Sequence, residues 1–204
     1  MVIKNTSKTP REKRHDLTRQ KILDMARKIL VTQGLAGLSM RALAEQIDYS
    51  PAAIYKYFEN KGEILQAIRE EGWALSRLSE PDDESLTPPE KLLAGGRQYL
   101  AFADAYPEHY LLMFNSPDLD DGSISDIGTD PRFIGLVAII EEGITTGYFR
   151  LPPGFTAILL AFQLWISCHG IAMLRLTQMR RHRAEFDPLC DQIMKGVVDS
   201  ITIK

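Results

Sequence analysis

Only two cysteines, Cys168 and Cys190, occur in the 204 residues. Both fall within apolar helical patterns, which suits buried thiols in a reducing compartment better than a disulfide framework. No stretch of roughly 18 uninterrupted apolar residues is present, so a membrane-spanning helix is not expected. The start, Met1 to Arg14, is polar and basic with no apolar run behind it, so a secretory signal is not expected either. Strand-like alternation is essentially absent, and there is no internal repeat. Catalytic signatures are missing as well. The four histidines (15, 109, 169, 182) and two cysteines show no spacing such as CxxC or HExxH, and no glycine-rich phosphate loop occurs. Cys168 and His169 are helix neighbours that point in different directions, so adjacency does not make them a nucleophile–base pair. The expectation is a soluble, cytoplasmic protein that is not an enzyme, with no catalytic residues, no metal and no cofactor.

What the chain has is charge asymmetry and helical periodicity. Residues 1–60 hold 11 Lys/Arg and 6 Asp/Glu, a net of +5; residues 61–204 hold 13 and 21, a net of −8. A basic end on an acidic body suggests that one end meets a polyanion, although a solvated basic tail, Lys4 to Arg14, would give the same count. With 45% hydrophobic residues the chain is too apolar to be disordered and long enough for one or two domains. Ile22, Leu23, Ala26, Ile29 and Leu30 share a helical face, with Thr18 as N-cap and Gly34 as terminator, predicting a helix over 18–33. A short helix follows from Ser39 through Ile47. After Asp48-Tyr49-Ser50 comes another, with Ser50 as cap and Pro51 at the first helical position, running to about Tyr57. Asn60, with Glu63 three residues later, resembles a capping box and opens a fourth helix over 60–78. Glu80 to Pro89 reads as a linker. Further helices are expected at about 89–106, 107–115, 131–146, 155–180 and 186–202. A mobile acidic loop is expected over Asn115 to Asp130, and a break over Gly147 to Gly154. The fold class is all-α.

Two short helices joined by a three-residue turn and sheltered by a longer first helix make a helix-turn-helix. In such a unit the second helix fits the major groove of DNA while the first crosses the backbone. The segment Gly34-Leu35-Ala36-Gly37-Leu38-Ser39-Met40-Arg41-Ala42-Leu43-Ala44, with Ser50-Pro51-Ala52-Ala53-Ile54-Tyr55-Lys56-Tyr57-Phe58-Glu59-Asn60-Lys61, resembles the N-terminal domain of the tetracycline-repressor-like (TetR) family over about residues 15–65. The resemblance implies that Arg41 contacts a phosphate or base and that Pro51, Ala52, Ala53 and Lys56 face the groove. It implies that Tyr55 and Tyr57 pack on the backbone and bond phosphates. Lys61 and the N–H groups opening helix four would hold another phosphate, and Thr18 at the start of helix one would do likewise. Ser39 and Ser50, the two caps, complete the candidate DNA-binding set. Plain core aromatics at 55 and 57, and an ordinary exposed arginine at 41, are the competing readings. Two departures stand out. Asp48 occupies the turn position usually filled by glycine, and the groove-facing surface is poor in hydrogen-bonding groups. Specificity would then rest on Arg41, on the basic arm in a minor groove, or on DNA shape.

Farther on, Tyr106-Pro107-Glu108-His109-Tyr110-Leu111-Leu112-Met113-Phe114 and Trp165-Ile166-Ser167-Cys168-His169-Gly170 resemble the TetR subgroup named for its Trp, His and Gly. Phe162, Trp165, His169 and Met173 share one helix face by spacing, and Tyr110, Met113 and Phe114 belong to another helix. Together they are candidates to line an apolar pocket for a small, hydrophobic effector, with Arg97 and Gln163 as polar anchors. A histidine beside tryptophan inside an apolar helix is also an ordinary core arrangement. The expected organisation is a basic flexible arm (1–14), a helix-turn-helix domain (15–62), helix four (60–78) linking the domains, and a ligand-binding and dimerisation domain (79–204). The last two helices would build a homodimer, as the family resemblance implies, so that two recognition helices reach a palindromic operator. Effector binding would move helix four and release the DNA. A transcriptional activator, a ligand-independent regulator and an adaptor with a vestigial helix-turn-helix are the alternatives.

Overall fold

Thr9, Pro10 and Glu12 start the first helix two turns earlier than Thr18. Proline at the first helical position lacks only an N–H that would be unpaired there, and Thr9 and Glu12 close a reciprocal capping box. The computed structural model, which describes residues 9–77, 85–114, 127–128 and 130–203, therefore has α1 over Pro10–Gly37. Thr18 lies mid-helix, its hydroxyl donating to the Arg14 carbonyl at 3.0 Å; it is not an N-cap. Residues 10–14 are helical and not a flexible arm, while residues 1–8 lie outside the described residues. Gly34, the expected terminator, instead bends the helix: its φ of 70° joins two helical segments across a kink.

The next elements follow their caps. Ser39 accepts from the Ala42 N–H at 3.1 Å and opens α2 (Met40–Gln46); Ser50 accepts from the Ala53 N–H at 3.2 Å and opens α3 (Pro51–Ile54). Between them Asp48 adopts φ 58°, the left-handed geometry that its position in the turn requires. Asp48→Gly is expected to stabilise the fold by about 0.5–1 kcal/mol, the relieved strain exceeding the added chain entropy. Thermal denaturation followed by circular dichroism measures it, and a lower midpoint would contradict the strain argument. Asn60 caps α4 (Lys61–Arg77) by accepting from the Glu63 N–H at 3.0 Å. The Glu63 carboxylate returns to the Glu59 N–H, one residue before the expected partner.

The described residues group into two compact units. The first holds 9–73 together with 108–114, the latter belonging to α6 (Pro107–Phe114). The expected boundary of a 79–204 domain does not follow this grouping: most of α6 packs with the helix-turn-helix. The reason is in the core. Leu112 joins Ile22, Leu23, Leu43, Ile54, Phe58, Ile64 and Ile68 in one buried cluster. Gly72 lets α6 close on α4, since a Cβ there would lie 2.5 Å from the Met113 sulfur. Polar groups tie the same helices. Glu71 of α4 pairs with Arg27 of α1 and lies 3.6 Å from His109 Nε2 of α6, while Arg27 also pairs with Asp24.

The second unit packs α5 (Pro88–Ala105), α7 (Pro131–Thr145), α8 (Ala157–Leu176) and α9 (Arg183–Asp199) around Leu92, Phe133, Ile140, Phe149, Leu160 and Val198. Thr87 with Glu90, Asp130 and Thr156 supply the helix starts. Arg175 and Arg183 each bridge Asp104 and Asp187, tying α5, α8 and α9. Among the described residues no strand occurs; one isolated antiparallel bridge joins Phe149 to Thr202. The expected linker residues 80–84 and loop residues 115–126 and 129 lie outside the described residues. One expectation needs amendment: α8 is long and apolar enough to cross a membrane by length and composition. Polar residues at Gln163, Ser167 and His169 interrupt its apolar run. Leu160, Ala161, Leu164 and Ile171 bury one side of it against neighbouring helices, while Leu159, Ile166 and Leu174 on the other side are exposed.

Candidate nucleic-acid interface

Ile54 and Phe58 are both almost fully buried and anchor the recognition segment from below. With these two fixed four residues apart, the positions between and before them turn outward: Pro51, Ala52, Tyr55 and Lys56 are exposed. Regular helix ends at Ile54, but the chain tightens rather than unravels. The N–H groups of Lys56 and Tyr57 donate to Ala53 and Ile54 at 3.3 and 2.9 Å, carrying the turn to Tyr57. The result is a single exposed ridge with two small apolar side chains, one phenol and one ammonium. Ala53 is half-buried at its edge.

Arg41 projects from the first turn of α2 with 84% of its side chain exposed, paired only with Glu45 one turn on, at 2.9 Å. Such a surface pair is worth about 0.3–0.5 kcal/mol, so a phosphate or base edge can replace it. Ser39 and Ser50 have their hydroxyl oxygens engaged as caps. Tyr57 is half-buried against the core with its ring 4.8 Å from that of His15, part packing residue and part surface. Lys61 departs from expectation: its ammonium is turned inward and donates to the Leu35 carbonyl at 2.6 Å, holding the end of α1. Three basic or polar neighbours of the motif were not anticipated. Arg19 sits over the Phe58 ring at 4.8 Å, and Lys21 lies over Tyr49 and donates to the Ile47 carbonyl at 3.4 Å. His15 stacks as described. No motif marks these three, because they act through a fold contact and not through local sequence.

The candidate effector residues divide between the units. In the first, Tyr110 is fully buried, Met113 packs at Gly72, and Phe114 meets Trp73 edge-on at 5.5 Å and Tyr110 at 4.9 Å. In the second, an aromatic row runs Phe133, Phe162, Trp165, His169 at centroid spacings of 4.6, 6.3 and 5.9 Å, with Met173 half-buried one turn beyond. The Tyr99 hydroxyl lies 3.2 Å from His169 Nδ1, and burial holds the His169 pKa below its ordinary value. Beside it, burial pushes the Cys168 thiol up to about 11, so it is an inert thiol at neutral pH. Gln163 and Arg97 are not part of this row. Gln163 lies on the exposed side of α8, and Arg97 borders an open cleft of about 250 Å3 with Asp104, Arg175 and Asp191. Among the described residues no group of three or more His, Cys, Asp or Glu suits a metal ion.

Comparison with known proteins agrees with this architecture. A family profile described as bacterial regulatory proteins, tetR family, matches residues 22–68, and one described as tetracyclin repressor-like, C-terminal domain, matches residues 92–197. The HTH-type transcriptional regulator Rv1816 of Mycobacterium tuberculosis is 27% identical over 149 residues, covering 68% of this chain and 64% of that protein. The chain thus spans slightly less than two thirds of that relative's length. The HTH-type transcriptional regulator UidR of Escherichia coli is 36% identical over 66 residues, 31% of this chain and 34% of that one. A solved structure of a protein of unknown function from Rhodococcus sp. RHA1 shares the fold with a TM-score of 0.68 at 22% identity, covering 91% and 95% of the two chains. With both its helix-turn-helix and its C-terminal helices matched, the chain belongs to the TetR family of bacterial transcriptional regulators.

Proposed function

We propose that the chain works in the cytoplasm as a homodimeric repressor that binds a palindromic operator and is released by a small, hydrophobic effector. The observation that carries this reading is an uncovered apolar face on the last two helices. On α8, Leu159, Ile166 and Leu174 are exposed in register with Gly170; on α9, Leu189 and Ile193 are exposed beside Gly196. Such contiguous apolar helix faces are poorly tolerated in water and suit a second copy of themselves, giving a four-helix interface with two-fold symmetry. That symmetry puts two recognition segments on half-sites of one operator. The Phe133–Phe162–Trp165–His169 row, with Tyr99 as its polar partner, supports an apolar effector with few hydrogen-bonding groups. The Trp-His-Gly subgroup rests on the same α8 residues.

Binding of the purified protein to its own upstream intergenic DNA, measured by gel shift at several salt concentrations, tests the reading. Salt-sensitive, competitor-resistant binding is expected. Lys56→Ala is expected to weaken it by about tenfold, within the range of one lost base contact. Failure of the wild type to bind any duplex, even at low salt, would overturn the proposal. A reporter fused to the same DNA separates repression from activation.

A further inference from the structure

The early start of α1 places a rigid basic ridge where the sequence alone suggested a flexible arm. The first buried residue of α1 is Ile22, so Pro10 to Lys21 forms a helical extension of about 18 Å ahead of the core. Charge is largely sorted on it, with Lys13 the exception on the acidic side. At 3.6 residues per turn, Arg11, Arg14, Thr18 and Lys21 recur at intervals of three, four and three, and so share one face. Glu12, Asp16 and Gln20 recur every four residues on another. Contacts orient both faces. Lys21 reaches the Ile47 carbonyl and the Tyr49 ring, both in the helix-turn-helix turn, and His15 stacks on Tyr57 at the end of the recognition segment. Gln20 bonds Glu71 of α4. The basic face therefore continues the helix-turn-helix surface, and the acidic face continues toward α4.

We infer that Arg11 and Arg14 form a second phosphate-binding ridge that extends the DNA contact beyond the recognition segment, an inference that rests on the operator binding proposed above. Both residues are exposed, and Arg14 makes only a long bond, 3.4 Å, to the carbonyl of Pro10 within its own helix. Entry of the helix itself into a minor groove is closed. The groove is about 6 Å wide, whereas a helix with its side chains is about 10 Å across. The helix therefore lies outside the groove, where the first groups its guanidiniums meet are backbone phosphates, the contact type that positions a protein without reading sequence. The partner is duplex DNA, since its charge complements this face and the face is continuous with the recognition ridge.

The test uses the full chain and a 30-bp-scale duplex that the wild type selects from a random pool, with affinity followed by fluorescence anisotropy across salt concentrations. Arg11→Ala with Arg14→Ala is expected to lower affinity on the order of tenfold at 0.1 M salt. It should also flatten the log–log salt slope by about two to four for a dimer, at 0.9 per phosphate contact. Hydroxyl-radical footprints should lose protection at the outer edges of each half-site and keep it at the centre. The charge-matched Arg180→Ala with Arg181→Ala, on exposed positions of the second unit, should leave slope and footprint unchanged. A variant with wild-type slope and footprint would overturn the ridge while leaving the proposed function standing. A loss that depends on A·T content in the flanks would also overturn it, because that is the signature of minor-groove reading. A wild type that selects no duplex at all fails the proposed function, and the ridge falls with it.

Discussion

A chain carrying Leu189→Asp and Ile193→Asp is expected to sediment as a monomer at micromolar concentration, keep its helical circular dichroism, and lose at least about 100-fold in operator affinity. Both residues are already 52% and 46% exposed in the single chain, so replacing them removes little from its own core. A two-fold interface through this face would bury the same patch of both copies, and each protomer would bring two carboxylates into an apolar seam. Unpaired buried carboxylates cost several kcal/mol each, more than the contact can return. The loss of DNA affinity follows from geometry. Two linked half-site contacts reinforce each other by about 10²–10⁴ through effective concentration, and a monomer makes only one. Analytical ultracentrifugation reads the first effect and anisotropy the second. A dimer that survives both aspartates would place the interface elsewhere on the molecule.

Glu71→Gln is expected to destabilise the DNA-binding unit by about 2–3 kcal/mol at neutral pH. Arg27, with only 17% of its side chain exposed, would lose one of its two carboxylate partners, and α6 would lose the anionic neighbour of His109. The change is nearly isosteric, so the loss is electrostatic. Its pH dependence has a definite sign. Burial acts to raise the Glu71 pKa, but the neighbouring His109 imidazole, the Arg27 charge and the Gln20 hydrogen bond together hold it below the ordinary 4.5. A carboxyl lowered in the folded state contributes stability above its unfolded value and loses it as pH falls through the folded one. The difference between wild type and variant should therefore be full at pH 7 and shrink below pH 4.5. Urea midpoints at a series of pH values measure this, and a difference constant from pH 7 to pH 3 would rule out the ionic account.

Local chemistry in this chain was legible in the sequence to the extent that it was local. Ser39, Ser50 and Asn60 cap the helices they precede because a side-chain oxygen needs only the next three residues to do so. The strained turn at Asp48 was readable for the same reason. The start of α1 was misplaced because Thr9-Pro10-x-Glu12 and Thr18 are both plausible caps, and periodicity begins to speak only at Ile22, where burial begins. Lys61 is a different case. Its position matches a phosphate contact, yet its ammonium bonds the Leu35 carbonyl, 26 residues earlier in the chain, a partner that spacing cannot reveal. The same limit hid the division of α6. Tyr110, Met113 and Phe114 look like pocket residues by composition, and only tertiary packing at Gly72 and Trp73 shows which unit they pack with.

The brevity of α3 bounds how much information the protein can extract from a genome. One turn of helix with its short continuation can touch about four base pairs, and a symmetric pair reads about eight. A word of eight letters recurs by chance about once in 65,000 base pairs, so a bacterial chromosome holds many copies to compete for the protein. Pro51, Ala52 and Ala53 sharpen each letter only through shape and methyl contact. Beyond what Lys56 and Arg41 can read, further discrimination would be written in the stiffness and groove width of the operator itself. Decoy sequences with the right letters but the wrong flexibility are where such a regulator tells its targets from the background.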